Sequence, residues 1–154
     1  MATITLRTAT REDCWDIFSW RNDPTTIAFS PSGKVKKENH LRWFEEKISS
    51  AASSLYIVMN ETGDKVGIIR FDRQMEDAEI SININPLFRG KGYGTEALKE
   101  AIARYLSESP VQRLIAKVVP ENSISKHLFQ KNGFKEVGNE KAFVLLMLEL
   151  ENHR

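Results

Sequence analysis

The sequence predicts a mixed α/β (α+β) domain with about seven strands and about four helices. Two observations predict this class. Short segments with strand patterns alternate with longer segments whose apolar residues recur at helical spacing, in the order β-α-α-β-β-β-α-β-α-β-β. The chain has 154 residues, of which 41% are hydrophobic, so it is long enough for a substantial core. We therefore expect residues 1–154 to form a single domain.

A strand and two helices are predicted at the N-terminal end. Ile4–Arg7 has a strand pattern. Thr10 then caps a helix that carries Asp13 three residues later, as in a capping box. We expect this helix to end near Asn22–Pro24, because these residues favour a turn. A second helix is predicted from Lys37 to Ser50.

Three strands follow these helices. Leu55–Met59 and Val66–Phe71 flank a turn at Glu61–Asp64 and are predicted to form a hairpin. The next strand, Glu79–Asn85, alternates polar with apolar side chains. A ligand cleft would explain a polar face on an interior strand. The polar face carries Glu79, Ser81, Asn83 and Asn85.

The C-terminal half completes the pattern. A helix over Thr95–Leu106 precedes Pro110, which breaks the chain before a strand at Arg113–Val119. The last helix, Ser123–Lys131, ends at Asn132-Gly133, which is typical of a C-terminal cap. Two short strands are predicted at Lys135–Val137 and Ala142–Leu150.

A glycine-rich segment, Arg89–Thr95 (RGKGYGT), joins the alternating strand to the helix that follows it. Such a turn points backbone N–H groups outward, and the helix dipole favours negative charge, so the segment predicts a phosphate or pyrophosphate site. Spacing excludes two known phosphate loops. A P-loop requires Gly-Lys-Ser/Thr, and a dinucleotide fingerprint requires a third glycine where this chain has Thr95.

The remaining pattern, Arg-x-x-Gly-x-Gly at Arg89, Gly92 and Gly94, resembles the acyl-CoA pyrophosphate loop of the GNAT N-acetyltransferases. A second motif lies about thirty residues later and strengthens the resemblance. It runs Asn122-x-x-Ser125-x-x-Leu128-Phe129-x-x-x-Gly133-Phe134. The resemblance covers essentially the whole chain. It implies the GNAT fold, with a mixed, mostly antiparallel central sheet flanked by helices, and acetyl-CoA as the acyl donor.

The resemblance also implies which residues contact acetyl-CoA. A backbone N–H of the strand around Ile82–Ile84 would hold the oxyanion, where a preorganised donor contributes most. Asn122 would open the helix beside the pantetheine arm, and the Phe129 ring would pack along that arm. The implied cofactor-binding residues are Ile82, Ile84, Arg89, Gly90, Lys91, Gly92, Tyr93, Gly94, Thr95, Asn122, Phe129 and Lys131.

The chemistry that the resemblance implies is direct attack of an amine on the thioester of acetyl-CoA. Because an amine is mostly protonated at neutral pH, a base must take its proton, and Glu79 is the candidate. The family's usual proton donor to the leaving thiolate is a tyrosine at the position of Phe129, and phenylalanine cannot donate. Ser125, a tyrosine on the neighbouring helix (Tyr93 or Tyr105), or no acid at all are the open alternatives, with Ser125 favoured.

The acceptor is predicted from two early segments. Trp20-Arg21-Asn22 and the later His40–Phe44 resemble the acetyltransferases that act on nucleotide-linked amino sugars in the pseudaminic-acid pathway. This implies a small-molecule amine as substrate, with Trp20, Arg21 and Asn22 in its pocket. His40 is interpreted as a surface residue. Two alternatives are open: a protein N-terminal acetyltransferase of the ribosomal-protein type, and a non-catalytic CoA-binding module.

Composition excludes several classes of function. The formal net charge of +1 comes from scattered basic residues, so we expect no nucleic-acid partner. We expect no membrane partner, because no apolar run is long enough to span a bilayer and no signal-peptide core is present. The single cysteine, Cys14, is interpreted as a packed side chain in a cytoplasmic protein. No metal site is expected, and the apolar strand Phe143–Leu150 favours pairing in a homodimer.

Overall fold

A computed structural model describes residues 3–150. Within this range the chain forms seven strands and five α-helices. The strands are β1 (Ile4–Thr8), β2 (Ser53–Asn60), β3 (Lys65–Gln74), β4 (Asp77–Ile84), β5 (Arg113–Val118), β6 (Lys135–Glu140) and β7 (Phe143–Glu149). The α-helices are α1 (Cys14–Arg21), α2 (Pro24–Ala28), α3 (Lys37–Ser49), α4 (Tyr93–Glu108) and α5 (Ser123–Lys131). Short 3-10 turns at Arg11–Asp13 and Pro86–Phe88 precede α1 and the glycine-rich segment.

All strands lie in one sheet, in the order β1-β2-β3-β4-β5-β7-β6. Every neighbouring pair is antiparallel except β4 and β5, which are parallel. The predicted fold class, a mixed and mostly antiparallel sheet of about seven strands with flanking helices, is confirmed. One expectation is wrong: β7 pairs with β5 on one side and β6 on the other, so it is an interior strand and offers no edge for pairing in a dimer.

The parallel pair opens into a gap. The ladder between β4 and β5 joins Asp77–Glu79 to Arg113–Ile115 and, among the described residues, ends there. Both strands continue beyond this point, β4 to Ile84 and β5 to Val118. Because successive backbone N–H groups point to opposite edges of a strand, every second residue of β4 beyond Glu79 presents its backbone to this gap.

The alternation in β4 places its two faces against different layers. Ile80 and Ile82 pair with Phe71 and Ile69 of β3, and they pack in a core that includes α4 and α5. The rings of Phe71 and Tyr105 stack there at 4.1 Å between centroids. The polar face of β4 looks the other way. It shares its side of the sheet with α1 and α3, whose buried residues include Ile17, Trp20 and Phe44.

The short helix α2 differs from the sequence prediction. The predicted end of a helix near Asn22–Pro24 is confirmed, because α1 ends at Arg21 with Asn22 as its C-cap, but Asp23 then caps α2, with Pro24 as its first residue, where a turn is expected. The Asp23 carboxylate accepts hydrogen bonds from the backbone N–H groups of Thr25 and Thr26. Asp-Pro is a helix start here because proline lacks only an N–H that the first turn leaves unpaired, and Asp supplies the cap.

A buried carboxylate ties β1 and β3 to the start of α1. Asp13 is fully buried and accepts two hydrogen bonds from Arg7 at 2.8 Å, and one from the Thr10 backbone N–H at 2.8 Å. Lys65 Nζ lies 2.7 Å from the same carboxylate. Burial acts to raise the pKa of Asp13, but the hydrogen bonds from Arg7, Lys65 and Thr10 outweigh it and hold the pKa well below its usual range.

Candidate active site

The glycine-rich segment takes a backbone conformation that only glycine adopts without strain. Gly90 has φ of 75° and Gly92 has φ of 85°, and Gly92 is the N-cap of α4. A Cβ built on either residue meets no atom within 4 Å, so the glycines are required by the backbone and not by crowding. The segment therefore presents main-chain N–H groups at the N-terminus of a long helix, which is a suitable surface for an anion.

Gly94 has a different reason to be glycine. A Cβ at this position would lie 3.2 Å from the side chain of Leu128 in α5. The absence of a side chain lets the first turn of α4 approach α5 closely. Tyr93, Gly94 and Thr95 together form this first turn.

Two helices begin beside the gap between β4 and β5. Because β4 and β5 are parallel, their C-terminal ends lie at the same edge of the sheet, and the chain runs from them into α4 and α5. In sheets with parallel strands, ligands commonly bind in the crevice at the C-terminal ends of those strands. The predicted N-cap is confirmed at α5, where the Asn122 side chain accepts a hydrogen bond from the Ser125 N–H at 3.1 Å.

The Arg89 side chain reaches the N-terminus of α2. Its Nε donates to the Ile84 carbonyl at 3.0 Å, one terminal nitrogen donates to Asp23 at 2.7 Å, and the other donates to Thr26 at 2.9 Å and to Asn83 at 3.3 Å. The hydrogen bond from Arg89 lowers the pKa of Asp23. Arg89 thus ties the glycine-rich segment to the N-terminus of α2. Direct contact between its guanidinium and a pyrophosphate stays a prediction.

The other predicted cofactor residues fall into two groups. Lys91 and Lys131 are exposed, and Lys91 Nζ lies 5.9 Å from the centre of the Phe88 ring. Phe129 is only 2% exposed and packs edge-on against Phe134 at 5.1 Å. The structure therefore gives Phe129 a role in the core, and its contact with the cofactor arm stays a prediction.

The backbone of β4 supplies the rest of the predicted cofactor site. Ile82 and Ile84 pack their side chains against the core beneath α4. They pair with Ile69 and Gly67 of β3, so one edge of β4 is occupied and the other faces the gap. A Cβ on Gly67 would lie 2.7 Å from the Asn83 carbonyl oxygen, so this glycine is required for β3 to approach β4 closely.

Glu79 lies where β4 and β5 part. It belongs to the last pair of their ladder, opposite Ile115, and its side chain is 28% exposed. Lys117 Nζ lies 3.6 Å from the Glu79 carboxylate and 3.0 Å from that of Glu140. The hydrogen bond to Glu140 is the main cause of the raised pKa of Lys117. The carboxylate of Glu79 is therefore accessible, ion-paired and next to the gap, and its role as a base stays a prediction.

The predicted acceptor residues are spread over different surroundings. Trp20 is 5% exposed and packs in the core between α1, α3 and the sheet. Asn22 uses its amide to bind the backbone of Val35, donating to the carbonyl at 2.9 Å and accepting from the N–H at 2.8 Å. Only Arg21 is placed on the polar face, with its guanidinium carbon 4.3 Å from the centre of the Trp43 ring. Substrate contacts of Trp20 and Asn22 stay predictions.

The interpretation of His40 as a surface residue is wrong, because its side chain is fully buried. Its Nε2 lies 2.8 Å from the Cys14 carbonyl and its Nδ1 lies 3.0 Å from Arg21. Because Arg21 can only donate, Nδ1 accepts and the Nε2–H donates to Cys14. Burial is the main cause of the lowered pKa of His40, which agrees with a neutral ring. Cys14 is buried as expected, and burial raises the pKa of its thiol.

Arg70 lies close to the predicted acceptor residues, although no sequence pattern identified it as a site residue. Its guanidinium carbon lies 5.2 Å from the centre of the same Trp43 ring that Arg21 contacts. Arg70 sits opposite Ser81 in the ladder of β3 and β4, so it belongs to the polar face. Its Nε is buried and 2.8 Å from the Asp72 carboxylate, yet the N–H has no hydrogen bond of acceptable angle in the described part of the chain. The sequence signal that could have identified Arg70 is the pair of charged residues, Arg70 and Asp72, at alternate positions of strand β3.

Comparison with known proteins decides the family. The family model described as "Acetyltransferase (GNAT) domain" matches residues 3–135. The chain belongs to the GNAT acetyltransferases. YwnH of Bacillus subtilis is 29% identical over 143 residues, which cover 88% of this chain and 86% of YwnH. Acetyltransferase PseH of Campylobacter jejuni is 28% identical over 135 residues, which cover 86% of this chain and 83% of PseH.

Solved structures agree in fold. The spermidine N-acetyltransferase from Vibrio cholerae, crystallised with CoA and spermine, superposes with a TM-score of 0.81 at 20% sequence identity, over 94% of this chain and 93% of that chain. The family match makes this chain an acetyltransferase, for which acetyl-CoA is the expected acyl donor. The gap beside β4, the two helix N-termini and the left-handed glycines fit such a donor.

Two further findings concern the described part of this GNAT chain. Residues 3–150 include no helix long and apolar enough to cross a membrane. Over the same range, no three His, Cys, Asp or Glu side chains are grouped so as to hold a metal ion.

Proposed function

We propose that this GNAT enzyme acetylates the primary amine of a nucleotide-linked amino sugar, by direct attack of the amine on the thioester of acetyl-CoA. The observation that carries the proposal is the position of Glu79. Its accessible carboxylate lies at the end of the ladder between β4 and β5, on the polar face and next to the gap. A donor in the gap and an acceptor on the polar face would therefore meet beside this carboxylate.

The residues then have distinct tasks. Acetyl-CoA supplies an activated acyl group whose carbonyl carbon is open to attack. Glu79 takes a proton from the acceptor's ammonium group, which frees the nitrogen lone pair. A backbone N–H of β4 around Ile82–Ile84 holds the negative oxygen of the tetrahedral intermediate. The new N–C bond forms, the nitrogen releases its second proton to solvent, the C–S bond breaks, and the electron pair leaves on sulfur.

The leaving thiolate takes up a proton from Ser125 or from solvent. Ser125 lies in the first turn of α5, beside the gap, and is partly exposed. Tyr105 is 2% exposed and stacked on Phe71, so it is poorly placed to donate. Tyr93, in the first turn of α4, is the better of the two tyrosines. A thiol with a pKa near 8.5 also leaves readily as thiolate without an acid.

Support for the acceptor comes from the polar face and from a relative. Trp43 on α3 is half-buried, so part of its ring can stack on a base or a sugar. The resemblance of Trp20–Asn22 and His40–Phe44 to acetyltransferases of the pseudaminic-acid pathway supports such an acceptor, and acetyltransferase PseH is a relative of the chain. A protein N-terminus is the second candidate, and the cations around Trp43 do not favour the acidic groove that such a peptide acceptor needs.

Release of CoA thiol against a panel of amines tests the proposal. The panel holds a UDP-linked 4-amino sugar, Ser- and Ala-starting peptides, spermidine and free amino acids. Turnover of the nucleotide sugar supports the proposal. Turnover of peptides alone would assign the chain to the N-terminal class, and silence with acetyl-CoA still bound would indicate a non-catalytic CoA-binding module.

A variant pair tests the role of Glu79. Glu79→Gln is expected to lower kcat by about a hundredfold at neutral pH, with the acetyl-CoA KM unchanged, because general base catalysis contributes about 10²–10⁴-fold. Glu76→Gln is the control, since Glu76 is exposed in the turn between β3 and β4. Equal turnover of Glu79→Gln and wild type across the pH range would remove Glu79 from the role.

A further inference from the structure

The inference rests on the proposed function. It concerns the cluster of Arg21, Trp43 and Arg70 on the side of the sheet that carries the polar face of β4. Two guanidinium groups lie over one indole ring: Arg21 at 4.3 Å and Arg70 at 5.2 Å from the centre of Trp43. They come from separate elements, α1 and β3, and Trp43 comes from α3. Two cations repel each other, and the repulsion is stronger where water is partly excluded. A half-buried pair of guanidinium groups therefore requires negative charge nearby.

The compensation from within the protein is incomplete. Among residues 3–150, no Asp or Glu side chain lies within 4.0 Å of the Arg21 guanidinium, and its hydrogen bond goes to the neutral ring of His40. Burial lowers the pKa of Arg21, and the charge of Arg70 lowers it further. The carbonyl end of α1 offsets part of this, because Arg21 is in the last turn of that helix.

The nearest carboxylate is already shared. Asp72 accepts hydrogen bonds from Lys47 at 2.8 Å and Ser53 at 2.7 Å, and it lies 2.8 Å from Arg70 Nε. Burial acts to raise the pKa of Asp72, and the hydrogen bond from Lys47 with the charge of Arg70 lowers it. One carboxylate thus faces two cations before Arg21 is included. The described part of this cluster carries an excess of positive charge.

We propose that Arg21 and Arg70, with the Trp43 ring, form a subsite for an oxyanion of the acceptor, either a phosphate or a carboxylate. The donors are the Arg21 guanidinium and the terminal nitrogens of Arg70, whose side chain is 23% exposed while its buried Nε already faces Asp72. Guanidinium groups bind such oxyanions through paired, charge-assisted hydrogen bonds. Ser81, opposite Arg70 on β4, lies two residues from Glu79 along the same face. An anion here therefore places the rest of the acceptor toward the proposed base.

The subsite predicts which amines the enzyme accepts. An amine that carries a diphosphate or a carboxylate gains the interaction, and a polycation such as spermidine meets a cluster with an excess of positive charge. The preferred acceptors are therefore amines that also carry a phosphate or a carboxylate, called anionic amines here whatever their net charge.

Three amines on the wild-type enzyme form the first experiment: a UDP-linked 4-amino sugar, a free amino acid and spermidine. We expect kcat/KM to be at least tenfold higher for one or both anionic amines than for spermidine. The two anionic arms distinguish phosphate from carboxylate. We also expect the KM of the preferred amine to rise between 50 and 500 mM salt, because salt screens exposed charge pairs.

Charge-neutral variants form the second experiment. Arg21→Gln and Arg70→Gln are each expected to raise the KM of the preferred amine by about ten- to a hundredfold. The kcat and the acetyl-CoA KM should stay within about twofold of wild type. Arg42→Gln is the matched control, because Arg42 is an exposed arginine next to Trp43 on the same helix. Arg21→Lys keeps the charge but lacks the planar guanidinium. The KM of the preferred amine for this variant should therefore lie between those of wild type and Arg21→Gln.

Binding separates this inference from the proposed function. UDP alone is titrated by calorimetry into enzyme saturated with CoA, so that the glycine-rich segment is occupied. UDP binding that Arg21→Gln weakens by tenfold or more supports the subsite even if no amine is turned over. Spermidine turnover equal to that of the anionic amines, equal effects of Arg42→Gln and Arg21→Gln, or absence of both UDP binding and an anionic preference would overturn it.

Discussion

The proposed cofactor side and the proposed acceptor side of this molecule differ in the atoms that would face the ligand. On the cofactor side, the gap beside β4 and the segment before α4 present backbone groups, held in place by left-handed Gly90 and Gly92. On the acceptor side, Arg21, Trp43 and Arg70 present side chains that come from three separate elements. A backbone surface suits a ligand common to a whole family, whereas a side-chain surface can change with the acceptor while the fold is kept.

The largest expected effect tests how the acceptor side is held to the sheet. Asp13→Asn removes the negative charge that Arg7 and Lys65 share, and we expect it to lower the free energy of unfolding by about 3 kcal/mol at pH 7. The folded-state pKa of Asp13 is depressed, so its contribution is full above the unfolded value of about 3.9 and is lost as pH falls through the lowered pKa. Urea unfolding at several pH values measures this difference.

A neighbouring carboxylate, Glu12, provides the control for Asp13→Asn. Glu12→Gln changes an exposed carboxylate one residue earlier, and it should leave stability within about 0.5 kcal/mol. A difference between wild type and Asp13→Asn that stayed constant down to pH 2 would mean that the charge of Asp13 is not the cause.

The next effect tests whether the cofactor side depends on backbone conformation. Gly92→Ala places a Cβ on a residue with φ of 85°, which costs about 1–2 kcal/mol. We expect the acetyl-CoA KM to rise by about ten- to thirtyfold as the segment leaves its conformation. The acceptor KM should change less, because Gly92 lies before α4 and outside the cluster of Arg21, Trp43 and Arg70.

Gly63 offers a matched control for that experiment. It has φ of 84°, its Cβ would also meet no atom within 4 Å, and it lies in the turn between β2 and β3. Gly63→Ala should lower stability about as much as Gly92→Ala while the acetyl-CoA KM stays at the wild-type value. The same change in KM for both variants would show that the effect is one of stability alone.

The smallest effect concerns Arg89, which connects the two sides. Asp23→Asn keeps an effective N-cap for α2 but removes the charge that holds Arg89. If Arg89 acts by positioning the glycine-rich segment, the acetyl-CoA KM should rise by about three- to tenfold. If its guanidinium binds the pyrophosphate directly, releasing it from Asp23 should leave the KM unchanged or lower it. Steady-state kinetics with acetyl-CoA as the varied substrate distinguishes these outcomes.

Local patterns in the sequence predicted the secondary structure of the proposed cofactor side well. The alternation in β4, the glycines before α4 and the Asn122 cap are each encoded within about ten residues, because they depend on backbone conformation. The missed features depend on contacts between distant segments. Arg70 meets Trp43 only through the packing of α3 on β3, and the burial of His40 requires both Cys14 and Arg21.

Two further differences have local causes that the sequence left ambiguous. Asp23-Pro24 is compatible with a turn and with a helix start, and the bond from Arg89 to Asp23 helps to select the helix. The apolar strand β7 is compatible with an edge and with an interior position. Its neighbour in the sheet, β6, follows α5 in the chain and returns outside β7, which no local pattern specifies.

The gap between β4 and β5 has a consequence for handling the protein. A strand edge with free backbone groups is a template on which another extended chain can pair, and such edges promote aggregation. A donor bound in the gap would cover this edge, and ligand at a hundredfold excess over its Kd would add about 2.7 kcal/mol to the stability of the folded state. Yield and shelf life of the purified enzyme should therefore improve when CoA is kept in every buffer.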